Sequence, residues 1–386
     1  MKDDLPGATK EEVARHIPGL DGVRGLAILL VMFSHFIVVG GHLHDSHPFD
    51  RLLLSGFLGV DLFFVLSGFL ITGILVEAKK KSHYFRTFYI RRALRIFPLY
   101  YSLLAVAFLS VPLLSPQDAP KLTGSDSPWW YWLYASNIGM AFKGGWLNSP
   151  TWIDLGHFWS LAVEEQFYMV WPFVVFCLKP KWLYRLCILL VLSSPIVAGI
   201  LHETIGPLPT YVSTLSRTGL LAAGGWLALV WRDPDKKPRW LRLAVPVACI
   251  SGLLLLLERT FLTDPRFAMW EPSLALICGT ACVALASKTT GFSFFRRFFE
   301  SDILRWLGKY SYGIYVYHHA LKTVWMHFIW ERIAVPMVGP GWAGTIVYFV
   351  IATIASLSLA WLSWHFFEAR VLSLKRHFTY DSAAKA

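Results

Sequence analysis

The sequence predicts an all-α, polytopic membrane protein: a bundle of about ten transmembrane helices with both termini in the cytoplasm. Three observations carry this expectation. Of the 386 residues, 55% are hydrophobic and only 16% are charged, whereas soluble proteins carry about a quarter charged residues. The apolar residues gather in a series of long runs. The cations gather in short clusters between alternate runs.

A helix needs roughly 20 mostly apolar residues to cross ~30 Å of hydrocarbon. Ten runs qualify, at about 20–40, 56–76, 93–114, 157–178, 182–202, 210–231, 240–257, 272–287, 311–330 and 343–367. The first is taken as a retained span and not a cleaved leader, because no small-residue cleavage site follows it and many further apolar runs do. An eleventh segment, Trp129 to Phe142, is short and aromatic.

Cation placement orients the runs, since cytoplasmic loops are enriched in Lys and Arg. Lys79, Lys80, Lys81, Arg86, Arg91 and Arg92 precede the third run, and Lys179, Lys181 and Arg185 follow the fourth. Arg232, Lys236, Lys237, Arg239 and Arg242 follow the sixth; Lys288, Arg296, Arg297, Arg305 and Lys309 follow the eighth; Arg370, Lys375 and Arg376 follow the tenth. All fall on one side only if Trp129–Phe142 does not cross. Its Trp-Trp-Tyr-Trp sequence suits an interfacial segment, where such rings are favoured. One membrane domain over 17–370 is expected, with cytoplasmic tails at 1–16 and 371–386. The net charge of +11 is spent on these loops, so no nucleic-acid partner is expected. The five cysteines show no metal-ligand spacing and no bound metal is expected.

Ionisable residues inside the runs are the functional signal. Asp21, Arg24, Ile28, Val31 and His35 share one face of the first helix. Arg24 and His35 are ~16 Å apart in depth at 1.5 Å per residue. Asp61 lies near the outer end of the second run, and the fourth contains Glu164, Glu165 and Gln166. His157, Ser160, Glu164 and Tyr168 share a face of that fourth helix. Three unpaired carboxylates there would cost on the order of 8–10 kcal/mol, so they are expected to face a cavity or to pair with Arg24, His35 or backbone donors. Arg91 or Arg92 pairs in spacing with Arg95 at the start of the third helix, where guanidinium forks suit phosphate groups and equally suit anionic lipid heads.

At these residues the chain resembles the acyltransferase 3 family of membrane O-acyltransferases. Leu20-Asp-Gly-Val-Arg-Gly-Leu-Ala-Ile-Leu-Leu-Val-Met-Phe-Ser-His35 is similar to the family's first span, and Gly59-Val-Asp-Leu-Phe-Phe-Val-Leu-Ser-Gly-Phe-Leu-Ile71 to its second. Arg92-Ala-Leu-Arg95 resembles its RxxR element. Trp159-Ser-Leu-Ala-Val-Glu-Glu-Gln-Phe-Tyr168 and Ser311-Tyr-Gly-Ile-Tyr-Val-Tyr-His318 resemble two further signatures. The likeness covers about 17–370. It implies a catalytic histidine, here His35, and arginines that bind acyl-CoA, here Arg24, Arg92 and Arg95. It implies acceptors such as surface sugars, lipopolysaccharide units or small molecules, and a bacterial inner membrane. Some members carry an added extracytoplasmic hydrolase-like domain; this chain ends soon after its last run, so none is expected here.

The expected function is transfer of an acyl group, acetyl above all, from cytoplasmic acyl-CoA to a hydroxyl on a carbohydrate or glycolipid. Acyl-CoA enters as a co-substrate, with no permanently bound cofactor. His35 acts as general base, oriented by Asp61, Glu164 or Glu165. Direct attack and an acyl-histidine intermediate both remain open. A transporter or flippase for an anionic or glycolipid substrate is the alternative, since buried Asp, Glu and His also build proton relays.

Overall fold

The computed structural model describes residues 16–39, 48–114, 116–117, 122–150, 152–261, 271–286 and 293–380. The expected N-terminal tail before His16, and positions 381–386 of the C-terminal one, lie outside them. Among the described residues the chain is helical throughout, without a strand. Ten principal helices follow one another: α1 (Pro18–Ile37), α2 (Leu58–Ala78), α3 (Tyr84–Leu109), α4 (Trp159–Cys177), α5 (Pro180–Ile205), α6 (Thr214–Trp231), α7 (Lys237–Phe261), α8 (Glu271–Ala286), α9 (Asp302–Ala320) and α10 (Trp342–Ser363).

Local chemistry accounts for several boundaries. α1 and α5 open on Pro18 and Pro180, a position where the missing N–H costs nothing. The Ser213 hydroxyl caps α6 by accepting from the Leu215 N–H at 3.2 Å. Pro98, Pro172, Pro195 and Pro246 sit inside helices, which spans tolerate where neighbouring groups re-satisfy the backbone.

Nine of the ten expected runs fall in the main on one helix each; the ninth, 311–330, is divided after Ala320 between α9 and the short helical turns that follow it. By length and composition six are apolar enough to cross a membrane: Pro18–Ile37, Phe49–Ala78, Tyr84–Leu114, Pro180–Ile205, Lys237–Glu258 and Trp342–His377. α8 falls short in length, at 16 residues. α4, α6 and α9 fall short in apolar character, and these three carry Glu164, Glu165, Arg217, His318 and His319.

The segment Trp129–Phe142 folds as two short helices, Trp129–Trp132 and Ser136–Lys143, broken where Tyr134 adopts φ 52°. Eight residues of helix cover only ~12 Å, so neither piece can cross. Gln166 on α4 fastens this segment: its amide donates to Tyr134 O at 2.8 Å and Asn137 Oδ1 at 2.9 Å, and accepts from the Thr214 hydroxyl at 2.5 Å. Tyr100 and Tyr101 of α3 reach it too, donating to Tyr131 O and Trp132 O at 2.7 and 3.2 Å.

Small residues set the packing that places the site. α1 lies against α9, and a Cβ on Gly25 would stand 2.0 Å from Leu304 O, one on Gly308 1.9 Å from Asp21 O. α2 meets α6 the same way through Gly68 and Gly224, whose Cβ positions fall 1.9 Å from Leu221 O and Val65 O. Backbones this close admit only glycine, which is how apolar helices associate without a hydrophobic drive between them. At the far end of the chain, residues 371–380 continue past α10 and dock on α3, where Thr87 and Arg91 donate to the Thr379 and Phe378 carbonyls at 3.3 and 3.1 Å.

Candidate active site

Two cavities lie end to end inside the bundle. The first, about 120 Å³, is lined by Arg24, Arg92, Arg95, Ser67, Glu164 and Tyr168 among others. The second, about 870 Å³, is lined by His35, His157, His319, Asp154, Lys322 and aromatic residues including Trp146, Trp159 and Tyr211. Val60 and Tyr315 border both, so the wall between them is about one side chain thick.

The order of lining residues gives helix directions. Along α1 the arginine cavity comes first and the histidine cavity second; the same holds for α9, from Ser311 to His319. Along α2 and α4 the order is reversed, from Phe57 and Trp159 toward Ile71 and Tyr168. α3 runs like α1, from Arg92 up to Tyr100, whose ring stacks on Phe158 at 4.7 Å. α3 therefore ends, and α4 begins, at the histidine end. This is the non-crossing arrangement the cation pattern required.

At the arginine end, Arg24 donates to Asp21 Oδ1 at 2.5 Å, and Asp21 also meets His16 at 2.6 Å. The Arg92 guanidinium lies 5.6 Å over the Tyr168 ring. Tyr168 is hydrogen-bonded to Ser67, and Glu164 sits beside both, within electrostatic reach of Arg92 and Arg95. Three guanidinium groups around one cavity, with one carboxylate among them, make a receptor for anionic oxygens. Glu165 is buried behind this cavity, its Oε1 without a hydrogen-bond partner among the described residues.

Asp61 belongs elsewhere. Its Oδ1 accepts from Arg217 Nη1 at 3.1 Å, with both side chains about 5% exposed. Arg217 also donates to Tyr211 O at 2.8 Å and lies 4.5 Å over the Tyr211 ring. The expectation that Asp61 or a glutamate orients His35 is therefore not how the structure arranges these groups. Asp61 is engaged by Arg217, Glu164 lines the other cavity, and the partner of His35 is a histidine. Arg217 was not among the expected site residues, although a lone arginine in the run 210–231 is itself a signal.

His35 Nδ1 is 2.9 Å from His318 Nε2. His318 is fully buried, and its Nδ1 lies 3.0 and 2.8 Å from the carbonyl oxygens of Ile314 and Tyr315. Carbonyls only accept, so a neutral His318 must carry its proton on Nδ1 and present a lone pair at Nε2. His35 Nδ1 then donates to that lone pair, which leaves His35 Nε2 unprotonated. The tautomers follow from this hydrogen-bond network. His318 closes a quoted motif, yet its role was hidden because its partner lies 283 residues away.

His319 Nε2 stands 3.3 Å from Asp154 Oδ2, and the ring centroids of His319 and His35 are 4.6 Å apart. Asp154, in the loop before α4, also accepts from the Gly156 N–H at 2.8 Å. Burial works against its ionisation, but the His319 hydrogen bond, His319's charge and the Gly156 N–H outweigh it and hold the carboxyl below its usual range. The loop itself is pinned by Asp126, which accepts from Lys143 at 2.6 Å and the Asn148 N–H at 2.7 Å.

Comparison with known proteins places the chain. An acyltransferase domain family profile matches residues 17–365. The chain is 32% identical over 329 residues to the peptidoglycan O-acetyltransferase OatA of Listeria monocytogenes, covering 80% of this chain and 50% of that protein. It is 31% identical over 379 residues to a putative peptidoglycan O-acetyltransferase of Bacillus subtilis, covering 93% and 55% respectively. A putative O-acetyltransferase of Staphylococcus aureus is 27% identical over 388 residues, covering 94% and 58%. The chain thus spans about half the length of the relatives it matches. No solved structure matches. An integral, multi-pass membrane protein, this chain belongs to the acyltransferase domain family.

Proposed function

We propose that the chain is a membrane O-acyltransferase that takes an acetyl group from acyl-CoA at the arginine end and delivers it to a hydroxyl of a cell-wall glycan at the histidine end. The observation that carries this reading is the pair of cavities sharing one wall at Val60 and Tyr315. One is suited to a phosphate-bearing donor and the other opens beside an imidazole. The relatives' names point to peptidoglycan as the acceptor class, in place of the lipopolysaccharide the resemblance also allowed. With the cation-rich loops inside, the arginine end faces the cytoplasm, the ten helices are ten spans of the bacterial plasma membrane, and both termini are cytoplasmic.

In this reading Arg24, Arg92 and Arg95 hold the anionic groups of the donor. A small acyl group reaches the wall beside Tyr315. The acceptor hydroxyl approaches from the wide cavity, where Trp146, Trp159 and Tyr211 offer ring faces to a sugar. His35 Nε2 takes the hydroxyl proton as the oxygen attacks the thioester carbonyl. The C–S bond breaks, and the CoA thiolate leaves and recovers a proton. His318 has the part first expected of a carboxylate: it fixes the tautomer and orientation of the base. An acyl-histidine route uses the same Nε2 lone pair as nucleophile.

The test is direct. Purified protein in nanodiscs is incubated with labelled acetyl-CoA and soluble peptidoglycan fragments, followed by mass analysis. Acetylated fragments with release of free CoA are expected. No CoA release and no label transfer, from protein that binds neither substrate, would sink the reading.

A further inference from the structure

The geometry points to a transition-metal site in the wall of the wide cavity: His35, His318 and His319 hold a zinc-class divalent ion that enters from the histidine end and silences transfer. Its effect on activity rests on the reading of His35 as base; binding does not. One ring nitrogen from each of the three histidines lies within 4.8 Å of the others. Zinc takes imidazole nitrogens at ~2.0–2.1 Å in tetrahedral geometry, which puts ligands ~3.4 Å apart. Side-chain shifts of about 1 Å close the gap, and His35 Nδ1 and His318 Nε2 already stand at 2.9 Å.

What surrounds these rings favours a ligand set over a chance cluster. Metal-bound histidines donate their other ring N–H to a carbonyl or carboxylate. His318 Nδ1 faces the Ile314 and Tyr315 carbonyls, and His319 Nε2 faces Asp154. That leaves His319 Nδ1 buried with no hydrogen-bond partner among the described residues. His157, 5% exposed, lies 4.8 Å away ring to ring, and its two nitrogens have no side-chain partner among the described residues. Neutral imidazoles select zinc, copper and nickel over magnesium and calcium. The cavity leaves room for water as a further ligand.

Silencing follows from the tautomers. A metal between His35 Nδ1 and His318 Nε2 takes the place of the proton they share. The displaced proton moves to His35 Nε2, the position that must be bare to accept the acceptor's proton. The metal thus converts the base into its inactive tautomer, with His35 itself still carrying one proton.

The experiment uses the full chain, purified on a histidine-free tag, with Co²⁺ as spectroscopic probe and Zn²⁺ as competitor. One Co²⁺ per chain with visible d–d bands, displaced by Zn²⁺, is expected. The bands should be lost in His318→Ala and in His319→Gln, whose amide still reaches Asp154. Saturating Zn²⁺ should lower wild-type transfer at least tenfold, and EDTA should restore it. If His318→Ala fails to fold, His319→Gln decides alone. Unchanged Co²⁺ spectra in folded His319→Gln, or no stoichiometric binding, would overturn the site. Binding with full transfer at saturating Zn²⁺ would overturn the silencing. Stoichiometric binding by protein that never uses acyl-CoA would uphold the site while refuting the transferase reading, so the two failures are distinct.

Discussion

The two cavities solve the problem of polar groups inside a bundle in opposite ways. At the arginine end, charge is partly paired and cations are in excess: Arg24 holds Asp21, and Arg92 and Arg95 face Glu164. At the histidine end no carboxylate among the described residues touches His35. It is held by His318, itself held by backbone carbonyls. Partly paired cations suit holding an anion reversibly: the excess charge attracts the ligand, and the carboxylates remain as partners when it leaves. An imidazole held by a neutral partner keeps a lone pair available for a proton. Outside both lies Asp61–Arg217, which has the chemistry of a site and the enclosure of a fastening.

The largest expected effect separates chemistry from binding. His35→Ala should lower transfer by ~10²–10⁴-fold in protein that still inserts and still binds acyl-CoA. The wild-type rate should rise with pH as the imidazole loses its proton, and that limb should vanish in the variant. A folded His35→Ala keeping more than about a tenth of wild-type turnover would fall well short of a general-base effect and would remove His35 from that role.

Next comes the fastening. Removing one partner of a buried ion pair costs about 3–5 kcal/mol, whereas replacing both with apolar groups is often neutral. Asp61→Ala or Arg217→Ala should therefore melt far below the parent, and Asp61→Leu with Arg217→Met should recover most of the loss. A stable but inactive Asp61→Ala would return Asp61 to the chemistry.

Donor binding should respond more modestly. A hydrogen bond to a charged group contributes ~1.5–3 kcal/mol, so Arg92→Ala or Arg95→Ala should weaken acyl-CoA about ten- to a hundredfold by equilibrium binding. Lysine should rescue poorly, lacking the planar fork. Unchanged affinity in folded protein would reassign these arginines to lipid headgroups.

The smallest effect belongs to Asp154. Its folded carboxyl titrates below the usual value, so its ionised form stabilises the fold above the unfolded value of ~3.9. That contribution disappears as pH falls through the lower folded value. Asp154→Asn should melt slightly earlier than wild type at neutral pH, and the two curves should converge in strong acid. A gap that persists there would assign the effect to packing.

Legibility in the sequence divides along the same line. The arginine end was readable in part, because some of its groups are local: Asp21 and Arg24 are three residues apart and Arg92 and Arg95 likewise, and helical periodicity alone puts each pair on one face; Glu164 was expected beside His35 and lines the arginine cavity instead. That the chain is a series of apolar helices was readable because lipid demands continuous apolar length, although six of the described helices alone meet that demand by length and composition. The histidine end was not readable. His35 meets His318 across 283 residues, and Asp61 meets Arg217 across 156. Such pairings are fixed by which backbones glycine allows to touch, as at Gly25, Gly308, Gly68 and Gly224, and periodicity within one helix carries no trace of them.

In the proposed reaction, donor and acceptor enter from opposite ends and meet at the wall beside His35. Protein reconstituted in sealed vesicles of known orientation tests it most directly, with labelled acetyl-CoA supplied on one side and soluble glycan on the other. Label should reach the glycan only when acetyl-CoA faces the arginine end and glycan the histidine end, and His35→Ala should abolish it. Equal transfer with both substrates at the histidine end alone would exclude entry from opposite ends.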